Sequence, residues 1–355
     1  MNPIAIVGVL AALVAAGAML ALLRPVLGLR TPWSALVVAG AAVVLTVAIG
    51  RLLDAASLEF LVGVSVFTLP VLVLLESAAI ASGADRFARR LLLLVWGLVV
   101  FPVALLVPLV VTCGCLAPDC GFEDFGGALP LIVSSSAFVL LAWLPSGVHE
   151  RAEPDRPSSR RIITAIVLLW IATIVWLVHL EGMIDDYSPR IALAATVAPV
   201  ASALGWLAVD RLRNQSRSAG RSLVLGFAVG MVVAVPGAVS VGMPWSPIVG
   251  VLGGAVAALV FSLSARDVAG LAARWGMTVL AAIAVGFVAP AVSGDTAGLI
   301  FAARAAVLTV PTLVLVGVAT FSVVVSAPVW VLVRGHATRD RIPAQILQSD
   351  DPVDE

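Results

Sequence analysis

The chain is predicted to be an all-α polytopic membrane protein with eleven transmembrane helices. Three observations predict this: eleven apolar stretches each long enough to cross a bilayer, charges confined to the gaps between them, and no ten-residue runs of alternating character. Apolar residues make up 61% of the 355, mean hydropathy is +1.12, and about 20 apolar residues suffice to cross about 30 Å of hydrocarbon. In lipid every backbone amide needs a partner within the chain, so runs of this length are helices and not barrel strands.

The spans are expected at residues 3–23, 33–50, 60–81, 91–111, 128–145, 162–180, 190–209, 222–242, 246–264, 270–290 and 298–333. The opening MNPIAIVGVLAALVAAGAML lacks a basic n-region and its apolar run continues to Leu23, so it reads as a retained first span. Span three carries Glu76 in its middle, the one acidic residue deep within a span, where a carboxylate costs several kcal/mol unless paired, protonated or wetted. Glu76 is therefore a candidate for cation binding or proton relay, or else a neutral acid bonded to a neighbouring helix or paired with an arginine such as Arg274. The gap after span four, CGCLAPDCGFED, holds all three cysteines. A disulfide joining Cys120 to Cys113 or Cys115 and a three-thiolate metal site both fit that spacing.

Span five follows Asp124, whose position before two glycines suits an N-cap that accepts first-turn amides. Ser134, Ser135 and Ser136 lie one turn deeper and can bond a polar solute or their own helix carbonyls. The longest gap, SGVHERAEPDRPSSRR, divides five spans from six. Spans six to ten then enter with the opposite sense to spans one to five, the arithmetic of an inverted repeat with a path between the halves. Span six closes on His179 and Glu181, an imidazole and a carboxylate at the outer mouth. Spans eight and nine carry Gly226 with Gly230 and Gly250 with Gly254, the spacing of close helix packing. Arg274 and Arg304 sit near span ends and are expected to snorkel. Span eleven, interrupted by Pro311, reads as an extra long helix, tilted or kinked. The channel domain is thus residues 1–333, with halves at about 1–145 and 162–290 and the extra helix at 298–333. Residues 334–355 form a cytoplasmic tail.

The chain has no lysine. Of its 21 arginines, 17 fall in gaps after odd-numbered spans and only Arg51 and Arg190 after even-numbered ones. The positive-inside rule then puts the N-terminus outside and the C-terminus in the cytoplasm of a cell-membrane protein, which requires an odd number of crossings. Asp54, Glu59, Asp119, Glu123, Asp124, Glu181, Asp185, Asp186 and Asp295 collect on the outer side, a mouth that attracts cations over about 8–10 Å or is simply solvated.

No phosphate loop, metal-spaced cluster or nucleophile elbow is present, and three dispersed histidines do not make a metalloenzyme. Enzyme activity, cofactors and nucleic-acid partners are not expected. The arginines beside the membrane are topology signals and contacts to anionic lipid.

The segment EDFGGALPLIVSSSAFVLLAWL resembles the entry to the fifth helix of the ammonium transporter (Amt/Rh) family, with Asp124, Phe125, Gly126 and Gly127 on its motif. The stretches at 193–213, 222–242 and 246–260 look like helices seven, eight and nine, and Trp176 followed by Gly182 resembles the Trp and Gly of helix six. The resemblance covers roughly residues 70–330. It implies a trimeric channel for ammonia, ammonium or another small polar solute. It also implies that the paired pore imidazoles are missing: the first falls on Ile132, the second near Ala272 to Arg274. Of the outer cation cage, the Trp position falls at Pro108 or its neighbours, the Ser position on Leu225, and the Phe position on Val71 or, displaced, on Phe67. Two other functions fit the pattern: a non-conducting pseudo-transporter serving as sensor or scaffold, and a secondary transporter of another family with the same inverted design.

Overall fold

The structure is a computed structural model. It describes residues 33–53, 58–81, 86–114, 127–143, 159–180, 185–215, 217–238, 244–267, 271–293 and 306–339, with a few single positions, Asp124 among them. Ten of the eleven expected spans fall on described helices, while most of span one, Cys115, Cys120, Arg304, Glu181 and the tail beyond Arg339 lie outside the described residues; Cys113 ends up in the last turn of the helix that closes at Gly114. Among the described residues, seven helical runs are long and apolar enough to cross a bilayer, one of them, 86–108, running through a π-helical turn.

In chain order the helices are α1 (Trp33–Leu52), α2 (Leu58–Val66), α3 (Thr68–Ala81), α4 (Arg86–Val95), α5 (Phe101–Gly114), α6 (Ser134–Phe138), α7 (Ser159–Leu180), α8 (Ser188–Leu212), α9 (Ala219–Ala234), α10 (Ser246–Asp267), α11 (Leu271–Ser293) and α12 (Ala306–Arg339). A π-helical turn, Trp96–Val100, joins α4 to α5, and another, Leu129–Val133, leads into α6.

Span three is broken where a continuous helix was expected: α2 ends in a turn at Phe67, and Thr68 Oγ1 donates to the Ser65 carbonyl at 2.6 Å. Pro70 has no N–H to give the carbonyl four residues back, so the helical ladder cannot run through this point unaltered. Pro102 deprives the turn before it in the same way, and the wider π register at Trp96–Val100 absorbs the loss. Span eight stops at Ala234 instead of 242, the chain turning at Pro236.

In the second half, α8 is the axle. Gly226 and Gly230 of α9 lie against Ala203 and Pro199 of α8, where an added methyl would come within 2.7 and 2.5 Å of backbone Cα atoms. Gly254 of α10 leaves no room for a methyl beside the Ser202 carbonyl, and Gly250 packs on Ala198. The two glycine pairs read as packing motifs thus face one helix from two sides. Ser202, fully buried, seals the joint by donating to the Gly226 carbonyl at 2.7 Å. Without a hydrophobic drive between helices in lipid, such dispersion contacts and bridging hydrogen bonds hold the bundle.

In the first half the core is built from large side chains: Trp96, Phe101, Phe138, Leu61, Leu72, Leu92 and Leu93 are fully buried. α12 closes over it. Its Trp330 is 2% exposed, and the indole Nε1 donates to the Phe138 carbonyl at 2.8 Å.

Candidate solute site at the arginine-poor end

Asp124 behaves as the sequence predicts. Its Oδ1 accepts from the Ala128 amide at 2.6 Å and its Oδ2 from the Leu129 amide at 2.9 Å, so one carboxylate satisfies two orphan donors. Gly127 between them has φ +69, a left-handed turn that a side chain would strain. The carboxyl group is enclosed by neighbouring chain although the residue keeps some accessible surface, and this burial raises its pKa from 3.8 to about 7 against the lowering effect of the two amides.

A chain of contacts leads from this cap. A methyl on Gly127 would sit 2.9 Å from Val64 Cγ1 of α2, and on the neighbouring Gly63 it would overlap Trp176 Cη2 of α7. Trp176 is 3% exposed. Its ring meets Phe67 edge-on at 5.4 Å and His179, one turn on, at 5.8 Å. The break in span three therefore places Phe67 against Trp176, and the displaced Phe position of the sequence analysis is the one that joins the cluster. His179 is 8% exposed, and its Nδ1 has no hydrogen-bond partner among the described residues. Glu181, read as its companion, lies outside the described residues.

Eight residues beyond Asp124 the surroundings are apolar. Ile132 packs against both the large first-half cluster and a second cluster containing Leu129, Val133, Ile283 and Phe287, all at most 2% exposed. The position to which the resemblance assigns the first pore imidazole thus holds a branched alkyl group at the junction of the halves.

Ser134 is fully buried and already committed: its hydroxyl donates to the Pro130 carbonyl and accepts from Trp96 Nε1 at 3.2 Å. Ser135 bonds the Leu131 carbonyl. In the π turn the Ser134 amide reaches back to Leu129, so the Pro130 carbonyl loses its usual partner and the Ser134 hydroxyl supplies one. The Trp96–Ser134 bond ties the two π turns together, a pairing across 38 residues that no local signal shows.

Two candidates fall elsewhere. Leu225 lies two turns into α9, in the cluster of Trp206, Phe261 and Trp275 near the arginine-rich end; the structure does not bring it to Asp124 and Trp176. Glu76 is not mid-span but near the arginine-rich end of α3, where Ser34, the second residue of α1, donates to its Oε1 at 3.4 Å. Its Oε2 is buried without a partner among the described residues.

At that same end the structure shows a site that sequence reasoning missed. Asp210, 2% exposed, accepts from Trp206 Nε1 at 3.0 Å, Ser222 Oγ at 2.7 Å and Arg217 Nη1 at 2.6 Å. The guanidinium groups of Arg217 and Arg274 lie 4.9 and 3.6 Å from the centre of the Phe261 ring, and Arg274 Nε donates to the Phe261 carbonyl at 2.8 Å. Arg274 is thus bound inward over an aromatic ring and does not snorkel freely. The four-residue spacing of Trp206 and Asp210 was the available signal, masked by the surrounding arginines. Among the described residues no group of three His, Cys, Asp or Glu side chains could hold a metal ion.

These features define the class: an all-α polytopic membrane protein with the fold of the ammonium transporters (Amt/Rh). Mep2 of Saccharomyces cerevisiae matches with TM-score 0.70 at 15% identity, over 92% of this chain and 83% of that one. Mep2 of Candida albicans matches at 0.71 and 18%, over 96% and 84%, and a sensor Amt protein at 0.71 and 12%, over 94% and 93%. At these identities the likeness is one of fold. No family model matches the chain, and no curated relative does.

Proposed function

We propose that the protein is an ammonium-transporter-like channel of the cell membrane, trimeric, that takes ammonium or another small polar solute at its outer mouth and passes the neutral form inward. The observation that carries this reading is the contact of Phe67 with Trp176 at the end where Asp124 caps its helix through Ala128, the cap linked to that pair through Gly127, Val64 and Gly63, with an apolar junction around Ile132 eight residues on. Aromatic faces and a carboxylate attract a small cation. A bare charge cannot cross hydrocarbon-like packing cheaply, whereas a neutral amine loses only its hydrogen bonds. The positive-inside rule assigns the arginine-poor end to the outside.

A second reading, a non-conducting sensor, is favoured by a specific observation: Trp176 is 3% exposed and Ile132 packs into both cores. A secondary transporter of another design does not fit the fold. Purified protein in liposomes carrying an internal pH dye separates the two readings. An imposed ammonium gradient is expected to alkalinise the lumen faster than in empty liposomes. Equal rates, with ammonium binding retained, would leave the sensor reading standing.

A further inference from the structure

The outer cluster holds a polar atom that its aromatic neighbours cannot satisfy. His179 lies in the last turn of α7 with more than nine-tenths of its surface buried, and its Nδ1 meets no donor or acceptor among the described residues. An imidazole left this way costs stability, because desolvation of a ring nitrogen is not offset by any bond. Its only close described ring partner is Trp176, tilted at 39° and 5.8 Å away, and Trp176 in turn meets Phe67. An aromatic surface attracts a cation through its face but offers no acceptor to an N–H group. Among the described residues ring-packed against Trp176, His179 is the one that brings an acceptor nitrogen; Ser134 is already committed to Trp96 and Pro130.

We infer that His179 Nδ1 is a specificity-determining acceptor for a small cation that carries N–H groups, ammonium or a monoalkylammonium, seated against Trp176 and Phe67. The inference rests on the outer-mouth reading above. Its chemistry is narrow. A quaternary ammonium ion, with no N–H, gains the aromatic attraction but not this hydrogen bond, so His179 sets the preference of the site for N–H-bearing cations over fully alkylated ones.

The test uses full-length protein in lipid nanodiscs, titrated by calorimetry with ammonium chloride and separately with tetramethylammonium chloride at fixed ionic strength. His179→Phe keeps a flat ring and removes the acceptor. It is expected to weaken ammonium binding about tenfold or more while leaving tetramethylammonium binding within about twofold, the size of one hydrogen bond to a charged group. Its melting temperature without ligand should equal or exceed the parent's, since an unsatisfied buried nitrogen is gone. His179→Asn, which sets an amide oxygen near the Nδ1 position, should recover part of the ammonium affinity. If parent and His179→Phe bind both cations alike, the inference fails while the outer site stands. If the parent binds neither cation, the outer-mouth reading fails and the inference with it.

Discussion

The two halves of the molecule are assembled by opposite means. In the second half, α8, α9 and α10 are regular helices pressed together through glycines until backbone touches backbone, as at Gly254 and the Ser202 carbonyl. In the first half the helices are interrupted, by a turn at Phe67 and by π turns at Trp96–Val100 and Leu129–Val133, and held by large buried side chains. Around Trp176, which comes from within α7, the other residues of the outer site come from an interruption or from a helix end: Phe67 from the break, Asp124 from the cap, His179 from the last turn of α7. Regular helices satisfy their own backbones and leave nothing to offer. Irregular ones must recruit side chains, and in doing so they aim polar groups.

The sharpest way to break this contrast is Gly254→Leu. With the Ser202 backbone already in contact, the side chain has nowhere to go, and a loss of about 3 kcal/mol or more is expected, read as loss of the folded species by gel filtration and thermal melting. Gly40 in α1, with nothing within 4 Å of a methyl, is the control: Gly40→Ala should be neutral or slightly stabilising. Equal damage at both sites would show that the glycines of the second half are not the joint.

Next in size is Ser134→Ala. It strips a partner from both the Trp96 indole and the Pro130 carbonyl and is expected to cost about 2 kcal/mol. A double-mutant cycle with Trp96→Phe should show coupling, because each change removes the same bond. Additive losses would mean that the two π turns are independent.

Asp124 gives a smaller, pH-dependent effect. Its folded pKa, about 7, lies above the value of 3.8 that an exposed aspartate shows, so the folded state holds its proton more tightly. The stability it contributes is therefore full below about pH 4 and lost as pH rises through 7. Melting temperature should fall across that window and Asp124→Asn should flatten the fall; an unchanged slope in the variant would assign it to another group.

The smallest change in stability is expected at Glu76→Gln, since Ser34 can bond an amide as readily as a carboxylate. If the unpartnered Oε2 handles protons at the inner end of the path, flux in liposomes should fall sharply at an unchanged melting temperature. Parental flux in the variant would make Glu76 structural.

What the sequence revealed follows the same division. The spans were legible because lipid enforces apolarity over each full length, and the glycine pairs of the second half because helix spacing is a local property. Asp124 was legible for the same reason, as its partners lie four and five residues away. The interruptions were not: they depend on which carbonyl Pro70 or Pro102 leaves bare and on which distant side chain, such as Trp96 for Ser134, answers it. Leu225 was assigned to the outer cage by counting along a motif, yet it lies two turns into its helix against the cluster of Trp206, Phe261 and Trp275, because small-residue patterns repeat every turn and fix a helix's face better than its depth. Asp210 was hidden among arginines, where one carboxylate reads as ordinary charge balance until Trp206, Arg217 and Ser222 are seen to close on it.

The bond from Trp330 to the Phe138 carbonyl spans 192 residues and bears on how the chain is made. α6 ends at Phe138, in the span that carries the π turn, and the indole that answers this carbonyl belongs to the last helix. A ribosome inserts the helices in order. While the second half is still being synthesised, span five waits in the bilayer with a carbonyl that its final partner has not yet reached. The last helix is thus a keystone in time as well as in space: a chain that stalls before Trp330 leaves the Phe138 carbonyl without the indole that answers it.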